Sequence, residues 1–138
     1  MRKLEIYIDG ASKGNPGHAG IGVIILEGEQ VICNIARYIG EATNNIAEYT
    51  ALIYALEEAL KLKAGQVEVK TDSQLLHRQV IKEYKVKDKN IAVLYGRVTR
   101  LLESFPHFKI EHIPREENKG ADKLATIAVK EKLRETAL

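Results

Sequence analysis

The chain has 138 residues, of which 45% are apolar and 29% charged, with a net charge of +2 at neutral pH. This length predicts a single domain over residues 1–138, and the apolar content excludes a disordered chain because it is enough to build a core. The small net charge does not by itself indicate a nucleic-acid binder. The single cysteine, Cys33, excludes an internal disulfide, and its apolar neighbours predict a buried thiol.

The sequence contains no membrane or export signal that we recognise. No stretch reaches the ~18 continuous apolar residues of a membrane span. The N-terminal MRKLEIYIDG enters a strand almost at once and has no signal-peptide core. We therefore expect a cytoplasmic protein with no membrane partner, and we expect it to be a monomer.

Three strands are predicted in the first third of the chain. LEIYID (4–9) alternates apolar and other residues, which is typical of a strand. GASKGNPGHAG (10–20) has four glycines and a proline in eleven residues, which predicts a turn region. IGVIILEG and QVICNIARYI predict two further strands joined by a short turn near Gly28. Together the three strands predict an antiparallel meander.

Helices and strands alternate in the remainder. Thr-Asn-Asn at 43–45 is a capping sequence, and apolar residues then recur at helical spacing up to residue 60. The following segments are predicted as a strand at 66–71, a helix at 72–84, a helix around 91–101, a strand at 108–113 and a helix around 121–128.

The order βββαβααβα predicts an α/β fold, a sheet covered by helices. The crossover through the first helix makes the fourth strand parallel to a strand already in the sheet, by a right-handed connection. If that partner is the first strand, Asp9 and Asp72 become neighbours.

Four acidic residues lie in four separate sequence motifs. The motifs are IYIDGASKGNPG with Asp9, TNNIAEYTAL with Glu48, VEVKTDSQ with Asp72 and PREENKGADKLA with Asp122. Carboxylates in apolar, structured segments are costly unless a positive charge satisfies them. Four carboxylates that converge on one point suit a pair of hard divalent cations. This pattern predicts metal-assisted phosphodiester hydrolysis.

Each carboxylate taken singly also has a structural explanation. Asp72 or Ser73 could be the N-cap of the helix that follows. Glu48 could be the capping-box partner at the start of its helix. Asp122 could be a surface carboxylate that favours a helix N-terminus. Asp9 is the hardest to explain in this way, because aspartate is disfavoured inside strands.

IDGASKGNPG, TNNIAE, TDSQ and GADKLA, in this order, resemble the four signature segments of type 1 ribonuclease H, over residues 4–129. The resemblance implies a ribonuclease H-like fold whose five-stranded mixed sheet has three antiparallel and two parallel strands, with helices on both faces. It implies an endonuclease that cuts the RNA strand of RNA–DNA hybrids with two Mg²⁺ ions, or Mn²⁺. The implied metal ligands are Asp9, Glu48, Asp72 and Asp122.

The resemblance also implies contacts with the backbone and minor groove of the hybrid. The residues concerned are Asn15, Thr43, Asn44, Asn45 and Gln74. Helix N-termini with polar side chains bind phosphate readily, and contacts to 2′-hydroxyls distinguish RNA from DNA. Ordinary turn and cap chemistry explains each of these residues equally well.

Two residues compete for a role beside the metals. Longer relatives place a mobile histidine ten residues before the last aspartate, which is the spacing of His112. Shorter relatives use an arginine in P-R-E-x-N, which matches Pro114–Asn118 and makes Arg115 the catalytic candidate. Strand alternation predicts that His112 is packed, whereas Arg115 follows the strand on a loop.

Longer relatives also carry a basic handle with tryptophans near 82–90. This chain has no tryptophan and only four lysines there, so we expect modest affinity for hybrid. The alternatives are a nuclease of the same fold that also cuts double-stranded RNA, and a catalytically silent hybrid-binding module. Four intact carboxylates argue against the silent module, because they would repel phosphates.

Overall fold

The computed structural model describes residues 1–137, in which strands and helices follow the order that the sequence predicts. The elements are β1 Lys3–Gly14, β2 Gly17–Glu27, β3 Gln30–Ala42, α1 Asn44–Lys61, β4 Gln66–Thr71, α2 Gln74–Val80, α3 Lys89–Leu102, β5 His107–His112 and α4 Lys119–Ala137. A single 3₁₀ turn, Arg115–Glu117, links β5 to α4. No helix within residues 1–137 is both long and apolar enough to cross a membrane.

The five strands form one mixed sheet in the order β3-β2-β1-β4-β5. β1, β2 and β3 pair antiparallel, and β4 and β5 continue the sheet in parallel. The predicted sheet of three antiparallel and two parallel strands is confirmed. β4 pairs with β1, with Ile8 opposite Thr71. Asp9, within β1, and Asp72, just after the end of β4, are therefore neighbours.

Helices cover both faces of the sheet, as predicted. On the first face, α1 packs with Leu52 and Leu56 in one buried cluster with Ile6 and Val23 of the sheet. On the second face, α4 lies over β2, where Gly22 leaves room for its backbone. A Cβ atom on Gly22 would lie 2.0 Å from the carbonyl oxygen of Ala121. Only a residue without a side chain permits this approach.

The glycine-rich segment is not the long turn that the sequence predicts. β1 continues to Gly14 and β2 begins at Gly17, so only Asn15 and Pro16 turn the chain. Gly10 and Gly20 lie in the strands where α1 and α4 approach the sheet, and close approach requires glycine as much as a turn does, whereas Gly14 and Gly17 flank the turn.

Two further predictions are wrong in detail. The helix predicted over 72–84 ends at Val80, because Lys82 adopts a left-handed conformation with φ of 68°. Cys33 is only partly buried, since it lies on the outermost strand, β3, at the margin of the core. Burial still raises the pKa of the Cys33 thiol, so the thiol is a poor nucleophile.

Candidate active site

Three of the four predicted carboxylates meet at the edge of the sheet. Asp9 comes from β1, Glu48 from the second turn of α1, and Asp72 directly follows β4. One oxygen from each lies within 4.8 Å of the other two. Asp122, in the first turn of α4, lines the same cleft of about 420 Å³, and so does Arg115. Four separate elements thus deliver acidic groups to one open cleft.

Gly10 brings α1 against β1 at the level of these carboxylates. A Cβ atom at this position would lie 2.3 Å from the carbonyl carbon of Ala47, so the strand and helix meet backbone to backbone. The N–H of Gly10 donates a short hydrogen bond to Oε1 of Glu48. Glu48 is therefore bound to the strand and is not the capping-box partner that local sequence allows. Thr43 caps α1 by accepting from the N–H of Ile46 at 3.2 Å.

Asp9 and Glu48 are 5% and 8% exposed, so water screens them poorly. Burial raises the pKa of Asp9 well above its usual range, and the charges of Glu48 and Asp72 raise it further. Burial also raises the pKa of Glu48, with the charge of Asp72 adding to the effect. The cluster therefore disfavours its own full ionisation.

A divalent cation fits this donor set. Carboxylate oxygens are the ligands that Mg²⁺ and Mn²⁺ prefer, and a cation would offset the mutual repulsion that raises these pKa values. Asp72 is free for such a role because Ser73, not Asp72, caps α2 by accepting from the N–H of Leu76 at 3.2 Å. Asp122 also suits the N-terminal end of α4 electrostatically, and that explanation is compatible with a ligand role.

Sequence reasoning did not identify Asn118 as part of this site. Its side chain is 1% exposed, and its amide nitrogen donates to the carbonyl of Ile8 at 2.8 Å and to Oδ2 of Asp72 at 3.1 Å. The only sequence signal was the asparagine that ends the Pro114–Asn118 run. Nothing in that run indicates that the Asn118 side chain contacts Ile8 in β1 and Asp72 after β4, which are both more than forty residues away.

Of the five predicted substrate-contact residues, Asn44 is the one that lines the cleft. Its N–H donates to Oδ1 of Asn15 at 3.1 Å. Oδ1 of Asn44 accepts from the N–H of Ser12 at 3.1 Å, which ties the hairpin to the start of α1. Thr43 and Asn45 flank Asn44 in the chain. Gln74 is exposed at the first residue of α2, two residues after Asp72.

Arg115 and His112 are placed differently. Arg115 is exposed in the 3₁₀ turn and lines the cleft with the four acidic residues. The prediction that His112 is packed is wrong, because the core beneath β5 ends at Ile110 and His112 is exposed. Nε2 of His112 lies 3.3 Å from the carbonyl oxygen of Asp72, and its ring lies 6.1 Å from that of His77.

Sequence comparison gives one family and several relatives. Residues 7–128 match the family model described as reverse transcriptase-like. Ribonuclease HI of Halobacterium salinarum is 38% identical over 128 residues, which cover 92% of this chain and 64% of that protein. A bifunctional protein of Mycobacterium tuberculosis is 39% identical over 129 residues, which cover 92% of this chain and 35% of that protein. The chain thus spans less than two thirds of the length of both relatives.

Solved structures match over nearly their whole length. RNase H1 from Halobacterium salinarum superposes with a TM-score of 0.91 at 38% identity, covering 94% of this chain and 98% of that one. LC11-RNase H1, isolated from compost, was solved in complex with an RNA/DNA hybrid. It superposes with a TM-score of 0.89 at 40% identity, covering 94% of this chain and 99% of that one.

Proposed function

The chain belongs to the type 1 ribonuclease H family, and from that premise we propose that it is an endonuclease that hydrolyses the RNA strand of RNA–DNA hybrids. One observation carries the proposal. Asp9, Glu48 and Asp72, each from one of the family's signature segments, bring oxygens within 4.8 Å of one another in an open cleft. The similar LC11-RNase H1 was solved in complex with an RNA/DNA hybrid, and this supports the choice of substrate.

The four carboxylates would hold the cations. Asp9 is the natural shared ligand, because the charges of Glu48, Asp72 and Asp122 all act on it and raise its pKa. Glu48 would bind from the helix side, held by the Gly10 N–H. When bound, two Mg²⁺ ions, or Mn²⁺ in their place, would activate a water and stabilise the charge on the phosphate and the leaving 3′ oxygen.

Arg115 would act on the phosphate from the 3₁₀ turn, which lines the same cleft. Its guanidinium remains charged at any working pH and can hold a phosphate through two hydrogen bonds. The Arg115 side chain lies exposed in the 3₁₀ turn, and four acidic residues line the same cleft. Arg115 is therefore the group proposed to assist the departure of the leaving oxygen, ahead of His112.

The amide side chains around the cleft would recognise the hybrid. Asn15 and Asn44 are linked by a hydrogen bond, so they present a fixed pair of groups beside the metals. Asn45 and Gln74, in the first turns of α1 and α2, would add contacts to the hybrid, and Thr43 lies at the N-terminus of α1, where phosphate binding is favourable. Contacts to 2′-hydroxyls across the minor groove would make the RNA strand the one that is cut.

We also propose the domain organisation, oligomeric state and cellular location of the protein. Residues 1–138 are taken as one ribonuclease H-like domain that acts as a monomer. A cytoplasmic location suits a chain with one free thiol, since thiols stay reduced there.

A cleavage assay tests the proposed function. End-labelled hybrid, duplex RNA and duplex DNA are each incubated with the protein in Mg²⁺, in Mn²⁺ and in chelator. We expect metal-dependent cutting inside the RNA strand of the hybrid alone. Cutting of duplex RNA would assign a broader nuclease, and hybrid binding without cutting would assign a silent binding module.

Two variants complete that assay. Asp9→Asn removes the charge of the proposed shared ligand and should abolish cleavage. Glu29→Gln removes an exposed carboxylate in the β2–β3 turn and should cleave like the parent. Cleavage by Asp9→Asn at the parent rate would contradict the two-metal mechanism.

A further inference from the structure

Asn118 is a buried amide that joins the elements of the acidic cluster. It lies between the 3₁₀ turn and α4, where a residue normally caps the helix with its side chain. Its backbone does serve the helix: its carbonyl accepts from the N–H of Asp122 at 3.1 Å. Its side chain instead reaches the sheet, where it donates to Ile8 at 2.8 Å and to Asp72 at 3.1 Å.

The two acceptors fix the orientation of this amide. A backbone carbonyl and an ionised carboxylate oxygen can only accept hydrogen bonds, so the NH₂ group must face them. Oδ1 of Asn118 is left buried without a hydrogen-bond partner. A buried carbonyl without a hydrogen-bond partner has a free-energy cost. A side chain kept at that cost is expected to contribute something that an apolar residue cannot.

The bridge sets the spacing of the acidic cluster. Ile8 directly precedes Asp9 within β1, so one hydrogen bond holds β1 next to Asp9 and the other holds one oxygen of Asp72. The same residue starts the helical turn that carries Asp122. Asn118 therefore links the segments that carry Asp9, Asp72 and Asp122 through its side chain and its backbone.

We propose that Asn118 is a positioning residue, which holds Asp72 and the part of β1 that carries Asp9 at the separation that divalent cations require. It acts through the ligands and touches neither substrate nor metal. Its loss should therefore weaken cation binding itself, in the absence of nucleic acid. The inference rests on the proposed metal site but not on the proposed substrate.

Direct Mn²⁺ binding to metal-free protein, measured by calorimetry without nucleic acid, tests this. Asn118→Ala removes the donor, and Asn118→Asp keeps the volume but replaces the donor with an acceptor. Both should weaken Mn²⁺ binding by about 10- to 100-fold, the range found when groups that orient metal ligands are lost. Asn118→Ser, whose hydroxyl keeps one donor, should lie between them and the parent.

Gln79→Ala is the matched control. Gln79 is also a buried amide, 6% exposed, but its Oε1 accepts from the hydroxyl of Tyr49 at 2.8 Å on α1. Its loss should lower the melting temperature while leaving Mn²⁺ affinity within about twofold of the parent, a change far below the tenfold that positioning residues contribute.

The outcomes separate the two proposals. Mn²⁺ affinity within twofold of the parent in folded Asn118→Ala or Asn118→Asp, or an equal loss in Gln79→Ala, would overturn the positioning role. Absence of Mn²⁺ binding by the parent would overturn it as well. Parent protein that binds Mn²⁺ but does not cut hybrid would refute the proposed function alone.

In the cleavage assay, the same variants should need more Mg²⁺ for half-maximal rate. Their KM for hybrid at saturating metal should stay near that of the parent, because the amide does not face the substrate. A rise in KM with an unchanged metal requirement would contradict the inference.

Discussion

Replacing Asp9 with asparagine should stabilise the metal-free protein while it abolishes cleavage. Asp9 is 5% exposed, and the carboxylates of Glu48 and Asp72 lie within 4.8 Å of it. Two charges at that distance repel by about 3.5 kcal/mol at an effective dielectric constant of ~20. Asp9 can avoid this repulsion by binding a proton. Protonating a carboxylate whose ordinary pKa is about 3.9 costs about 4 kcal/mol near neutral pH, so the repulsion that Asp9 experiences cannot exceed that amount.

The asparagine amide has no charge, so the repulsion is lost, but a polar group remains buried. We therefore expect Asp9→Asn to gain about 1–3 kcal/mol, part of the full repulsion, which corresponds to a rise of roughly 3–10 °C in melting temperature for a domain of this size. The measurement is thermal unfolding in chelator near neutral pH. Glu29→Gln, which removes an exposed carboxylate, is the control and should melt like the parent.

The stability that Asp9→Asn gains over the parent should decrease as the pH falls. The pKa of Asp9 is raised in the folded state, so the folded protein holds more protons than the unfolded chain between about pH 4 and the raised value. The parent therefore loses stability as pH rises through that window. Below about pH 4 both states are protonated, and the advantage of Asp9→Asn should vanish.

Excess Mg²⁺ should reverse the order near neutral pH. A cation that binds the folded state raises the melting temperature of the parent, and the variant has lost a ligand for it. Asp9→Asn that melts at or below the parent in chelator near neutral pH would refute the electrostatic reasoning. So would an advantage that persists unchanged at pH ~4.

Three further results are expected. Arg115→Ala should lower kcat by at least about tenfold, and His112→Ala far less; the reverse ranking, with a pH–rate profile that breaks near neutrality, would assign the role to the histidine. Gly22→Ala should lower the free energy of unfolding, measured by denaturant titration, by about 1–3 kcal/mol or more, because its Cβ would meet the Ala121 carbonyl at 2.0 Å, whereas Gly96→Ala, with open space on α3, should be stabilising. Hybrid cleavage should weaken as salt rises. Replacing the exposed Lys85 and Lys87 of the α2–α3 connection and Lys89 at the start of α3 with alanine should raise KM mildly and leave kcat unchanged; a large fall in kcat would mean that the active centre is misplaced.

The order of strands and helices could be predicted because each depends on local periodicity. The crossover rule predicted that the fourth strand is parallel to an earlier one but left its partner open; the structure shows that the partner is β1, which makes Asp9 and Asp72 neighbours. The position of α1 over this edge brought in Glu48. These predictions needed no knowledge of how side chains pack.

The remaining features depend on contacts between distant segments. The glycines at 10–20 resemble a turn locally, and the approach of α1 and α4 explains why Gly10 and Gly20 lie in strands instead. The bridge from Asn118 joins segments that lie 46 and 110 residues away. The exposure of His112 reflects where the core ends beneath β5, which strand alternation does not reveal.

The two backbone contacts at Gly10 and Gly22 limit how this centre could be transferred to another protein. Grafting four acidic side chains onto a different sheet would reproduce the chemical groups but not their depth. A host that carried a Cβ atom at either position would hold α1 or α4 away from the strands, and Glu48 or Asp122 with it. A successful graft must therefore also copy the two missing methyl groups.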